Sequence, residues 1–96
     1  MILYIMKDVI KFYADWCGPC KSYTPFFNEV KEELKENYNF VEVDVDNDVT
    51  GLAANFKVMS IPATVVVDEE GAYNKKVGLM NPIELKKFIK QDVKKT

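Results

Sequence analysis

Residues 9–21 read VIKFYADWCGPCK, and this run, where a strand gives way to a helix across two cysteines, decides the architecture. Val9 to Tyr13 is β-branched and aromatic, the composition of a short buried strand. From Cys17 onward the period turns helical: Phe27, Val30 and Leu34 recur at helical steps with charges between them. Pro25 lies inside that pattern and is expected to kink it, because its ring removes one backbone bond. Cys17 is thereby placed at a helix N-terminus, where free N–H groups and the positive end of the dipole favour an anion. Its thiolate should form more readily than that of an ordinary thiol. Cys20 lies one turn further in, expected to be more buried yet within reach of Cys17.

Composition narrows what two such cysteines can do. The chain has 96 residues, 48% hydrophobic and 29% charged, which is enough for one core, and residues 1–96 read as a single domain. Its formal charge of −2 provides no basic field for nucleic acid or an anionic membrane. The apolar run at residues 1–6 is too short to span a bilayer and lacks the features of a secretory leader, so a cytoplasmic location is expected. There is no histidine and there are only two cysteines, whereas a structural zinc site needs roughly four such ligands. No metal and no cofactor is therefore expected within one chain. A disulfide stabilises mainly by closing a long loop, and Cys17–Cys20 would close a very short one. What remains is a dithiol that opens and closes. In that chemistry Cys17 attacks a substrate sulfur, a mixed disulfide forms, and Cys20 resolves it.

The rest of the chain supplies a layered α/β frame. Phe40 to Asp46 alternates, with Val41, Val43 and Val45 on one face of a strand. A short helical piece is expected near Thr50 to Phe56, then strands over Ala63–Asp68 and Tyr73–Val77 with a turn at Glu70-Gly71. Asn81-Pro82-Ile83-Glu84 offers an N-cap, a proline at the first helical position and a capping-box glutamate. Leu85, Phe88, Ile89 and Val93 then form an apolar helix face, with lysines opposite as its solvated side. The first two strands flank a helix and should be parallel, whereas the Gly71 turn makes the last two antiparallel. Asp44, Asp46 and Asp48 imitate the start of a calcium loop. Val49 stands where its glycine belongs and Asn55 where its glutamate belongs, so they read as strand-end and capping carboxylates.

With Trp16-Cys17-Gly18-Pro19-Cys20-Lys21 behind a buried strand and Ser60-Ile61-Pro62 downstream, the chain resembles the thioredoxin family from about Val9 to its C-terminus. Phe12, Ala14, Pro25, Asp46 and Val77-Gly78 fall in the family's order. The resemblance implies a thioredoxin-like three-layer sandwich, a mixed four- to five-stranded sheet with helices on both faces. It implies thiol–disulfide oxidoreductase activity on disulfide-containing proteins, and recharging by an NADPH-dependent thioredoxin reductase. It also implies a cis Ile61-Pro62 bond beside Cys17, and a docking rim of Trp16, Pro19, Ile61 and Gly78. For Leu79 and Met80, membership of that rim and simple packing stand as equal alternatives. A monomer is expected. An oxidase or isomerase on the same fold, and a dimer sharing a metal or iron–sulfur centre, are the competing readings. Gly18-Pro19 between the cysteines is similar to thioredoxin itself.

Three departures qualify the resemblance. Residues 1–8 cannot hold the extra strand and helix with which the family usually begins, and residues 1–6 are expected to form at most a short edge strand. The stretch 46–58 runs one residue longer than the usual pattern. Lys11 stands where the family carries a buried aspartate, and Glu42 stands where it carries a neighbouring lysine. The expectation is a Lys11–Glu42 pair that modulates the cysteines. The plain alternative is a lysine whose stem follows the strand while its ammonium reaches water.

Overall fold

The β-branched run ahead of the cysteines becomes β1 (Lys7–Tyr13), an inner strand of the sheet, in a computed structural model that describes residues 6–93. After it come α1 (Gly18–Leu34), β2 (Tyr38–Asp44), a 3-10 turn at Val45–Asn47, α2 (Leu52–Asn55), β3 (Ala63–Val67), β4 (Tyr73–Val77) and α3 (Pro82–Lys90). The four strands are ordered β2-β1-β3-β4. β1 pairs with β2 in parallel and with β3 antiparallel, and β3 with β4 antiparallel. This is a mixed α/β sheet, as the element order requires. The expected edge strand at the start falls mainly on residues 1–5, outside the described residues, and Met6 belongs to no strand.

Alternation along the inner strands sends side chains into two cores. Val9 and Val66 face α1 and α3, where they meet Tyr23, Phe27, Val30, Leu85 and Ile89. Ile10, Phe12, Ala63 and Val65 face the other way, with Phe56 and, at the margin, Leu52 and Ala53 of α2. Helices thus cover both faces. Fully burying a side chain such as Phe27 or Leu85 stabilises the fold by roughly 1.5–3 kcal/mol, and Phe27 also meets Tyr23 and Phe40 edge-on, at 5.8 and 5.6 Å between ring centroids.

Both ends of β2 differ from the sequence reading, and it begins at Tyr38, not Phe40. β2 stops at Asp44, not Asp46, although the alternation continues through Val45. Its partner gives the reason: Tyr13↔Asp44 is the last β1–β2 pair, beyond which β1 turns toward the cysteines. Asp44 Oδ1 accepts the Asp46 amide at 3.0 Å and starts the 3-10 turn. Val43 and Val45 pack on the second core as expected, whereas Val41, on an outer strand, stays exposed. α3 begins as anticipated. Asn81 Oδ1 accepts the Glu84 amide at 2.8 Å, and Glu84 Oε1 accepts the Asn81 amide at 3.0 Å. No helix among the described residues is long and apolar enough to cross a membrane.

Candidate functional site

The handover from β1 to α1 sets the cysteines in place. Cys17 is the N-cap of α1, with extended backbone, and its Sγ accepts the Cys20 amide at 3.2 Å. The Cys17 amide donates to the Ala14 carbonyl at 3.2 Å, closing the turn. Pro19 occupies the first turn, where its missing N–H costs no helical bond. No acidic residue stands in that turn, so the positive end of the helix is not neutralised locally. Cys17 and Cys20 are joined in a disulfide. Among the described residues no group of three or more His, Cys, Asp and Glu side chains is arranged to hold a metal ion.

Around the disulfide the loop is open and the sulfurs are tucked in. Trp16 is 70% exposed, and Gly18 and Pro19 are exposed beside it. Cys17 is 5% exposed and Cys20 2%, so the contrast expected between them is small in the disulfide form. The closed pair packs with Ala14, and Tyr13, Val45 and Ile61 lie against that cluster. Ile61 therefore comes to the cysteines from the far end of the chain. The Ile61-Pro62 bond is cis, and the Pro62 carbonyl accepts the Gly78 amide at 2.8 Å, which draws Gly78 to the same loop. Gly78 has φ of 99°, a conformation that glycine adopts without strain. The two residues left open part company. Leu79 is exposed, whereas Met80 is buried in the core between α1 and α3 and adds nothing to the rim.

Beside Trp16 lies an apolar groove of about 400 Å³, lined also by Val45, Ala53, Val58, Met59 and Ile61. Of these, only Trp16 and Ile61 were read from the sequence as site residues. Met59 is 91% exposed, an uncommon position for a large apolar side chain, and it directly precedes Ser60-Ile61-Pro62. That adjacency was the available signal.

Lys11 is not a residue whose ammonium escapes to water. It is 1% exposed, and its Nζ lies 2.9 Å from Glu42 Oε1. Lys11 and Glu42 are direct partners in the parallel register, so the expected pair forms. The ammonium also donates to Thr24 Oγ1 at 3.3 Å. Nearby, burial and then the carboxylates of Asp44, Asp15 and Glu42 push the Tyr13 phenol up.

The thioredoxin family model matches residues 5–91. The thioredoxin of Mycoplasmoides gallisepticum is 37% identical over 84 residues, covering 88% of this chain and 82% of its own length. That of Staphylococcus saprophyticus is 33% identical over 84 residues, covering 88% and 80%. Among solved structures, oxidised mitochondrial thioredoxin 3 from Saccharomyces cerevisiae aligns with a TM-score of 0.76 at 36% identity, covering 88% of this chain and 76% of that one. Thioredoxin-2 of the malaria parasite aligns at 0.82 over 95% and 87%, and with 21% identity it speaks for the fold alone.

Proposed function

Because the chain belongs to the thioredoxin family and is a thiol–disulfide oxidoreductase, we propose that it reduces disulfides in other proteins, with Cys17 attacking and Cys20 resolving. The observation that carries this reading is the position of Cys17 as N-cap, its sulfur already accepting the Cys20 amide. The same donor and the free end of α1 are there to stabilise a thiolate once the disulfide opens.

The exchange balances in two steps. The Cys17 thiolate attacks one substrate sulfur, the substrate disulfide breaks, and the departing thiolate takes a proton from water. Cys20 then gives its proton back to water and, as thiolate, attacks Cys17 Sγ, while the second substrate sulfur leaves as thiolate and is protonated. Two electrons pass to the substrate, and the Cys17–Cys20 disulfide is what remains. Trp16, Gly18 and Pro19 form the exposed loop at which substrate arrives. Ile61, Pro62 and Gly78 offer the opposite wall, where an extended segment docks by its backbone.

The returning electrons come from an NADPH-dependent thioredoxin reductase, and the protein works as a cytoplasmic monomer whose residues 1–96 form one domain. Insulin reduction with NADPH and such a reductase tests this. The wild type should turn over while Cys17→Ser and Cys20→Ser do not. Turnover retained in Cys17→Ser would remove Cys17 from its role. A measured potential near roughly −270 mV is that of a reductant, and one near about −180 mV would mark an isomerase instead.

A further inference from the structure

A polar row crosses the sheet under α1. Glu42 on β2, Lys11 on β1 and Thr64 on β3 are successive cross-strand partners. Tyr23 covers Thr64, its hydroxyl 2.7 Å from Thr64 Oγ1, and Thr24 covers Lys11. The Lys11 ammonium is enclosed by Glu42, Thr24 and two rings, its Nζ 5.0 Å from the centroid of Phe27 and 5.5 Å from that of Tyr13. Thr24 hands the interaction on, since its hydroxyl donates to the Cys20 carbonyl at 3.1 Å. Its oxygen must therefore accept from Lys11, and the chain Lys11–Thr24–Cys20 has a fixed direction.

Stability is a weak reason for such an arrangement. Burying an ammonium is costly, and apolar side chains in place of a buried ion pair are often neutral or stabilising. A positive charge two hydrogen bonds from the turn that carries Cys20 has an electrostatic consequence, because a nearby cation favours a thiolate. We infer that Lys11 is a positioning residue for dithiol exchange: its buried ammonium favours the thiolate form of the Cys17–Cys20 pair and makes the couple more oxidising. Glu42, at 38% exposure, moderates that charge from the solvent side. The inference rests on the reading of Cys17 as the attacking sulfur. The other charges at this end are Asp15 and Asp44, which act on Tyr13, Asp46, whose carboxylate accepts from the Trp16 indole, and the exposed Lys21 on α1. None of these changes in the variants that follow.

The test is titration of thiolate absorbance in the reduced full chain, comparing wild type, Lys11→Met and Glu42→Gln. Lys11→Met should raise the Cys17 midpoint by roughly half to one pH unit, a three- to tenfold weaker acid. Its equilibrium with glutathione should shift about threefold toward a more reducing couple, equivalent to about 14 mV. Glu42→Gln leaves the ammonium uncompensated and should move the midpoint the other way, by about two- to threefold. Opposite signs are the mark of charge; loosened packing would move both variants the same way. An unchanged midpoint in Lys11→Met, or shifts of the same sign, would overturn the inference. Should Lys11→Met fail to fold, the Glu42→Gln arm decides, and a midpoint that stays or rises counts against it. The titration needs no turnover, so its outcome stands apart from that of the insulin assay.

Discussion

The indole of Trp16 donates a 2.8 Å hydrogen bond from Nε1 to Asp46 Oδ2, fastening the residue before Cys17 to the turn that follows β2. A side chain that is 70% exposed would otherwise sample several rotamers over the disulfide. Held by Asp46, the ring forms one wall of the groove that Val45, Met59 and Ile61 complete.

Asp46→Ala should therefore loosen the proposed docking wall without touching the sulfur chemistry. An exposed hydrogen bond of this kind is worth about 0.5–1 kcal/mol, so KM for a protein disulfide should rise about two- to fivefold with kcat little changed. Steady-state kinetics and the fluorescence of Trp16 read the two consequences together. Unaltered KM and emission would show that the bond does not hold the ring during catalysis.

Asp48 anchors the start of α2, and the acid stability of the fold should depend on it. Its Oδ2 accepts the Ala53 amide at 2.8 Å and its Oδ1 the Leu52 amide at 3.1 Å. The Ala53 amide, then those of Leu52 and Gly51 and the Thr50 hydroxyl, hold this carboxyl below the usual carboxylate range against the opposing pull of burial. A carboxylate that is more acidic folded than unfolded contributes stability above its unfolded value and loses it as pH falls through the folded one. Asp48→Asn should melt below wild type at neutral pH, and the gap should close as the solution is acidified into that range. A gap independent of pH would mean that charge at Asp48 is not what secures α2.

Tyr23 makes the opposite prediction at alkaline pH. Its hydroxyl is 2.7 Å from Thr64 Oγ1 within the core, and burial pushes the phenol up to about 12, although the Thr64 bond pulls it down. A group with a raised folded value contributes its stability below the ordinary phenol range and loses it as pH rises from about 10 toward 12. Tyr23→Phe should cost about 1–2 kcal/mol at neutral pH, and that deficit should shrink as pH climbs past about 10. Denaturant melts of both proteins across this interval check it; a constant deficit would contradict the assignment.

What could be read from the sequence was what depends on near neighbours. The Asn81–Glu84 cap closes within one turn of helix, so its four residues announce it, and both hydrogen bonds form. Cys17 at the N-cap follows from a strand pattern ending and a helical one beginning. The Lys11–Glu42 pair came from the resemblance, and the β1–β2 register brings the two together. What the sequence left open or misplaced shares a cause. β2 ends where its partner turns away, which no alternation within β2 can reveal. Met80 follows a turn at Gly78 and has no period to mark it as core. Val45, Ala53, Val58 and Met59 line one groove with Trp16 because a turn, a short helix and a loop converge there, and the fold alone brings those segments together.

The central claim, that Cys17 attacks and Cys20 resolves, is tested most directly by trapping. Reduced Cys20→Ser is incubated with a protein disulfide at neutral pH, quenched with acid, and the adduct located by peptide mass spectrometry without reductant. Attack should proceed and resolution should not, so a mixed disulfide should accumulate on Cys17, with none on Cys20 in the matching Cys17→Ser sample. Adducts that form on Cys20 in Cys17→Ser, with Cys17 left free in Cys20→Ser, would reverse the two roles and contradict the account.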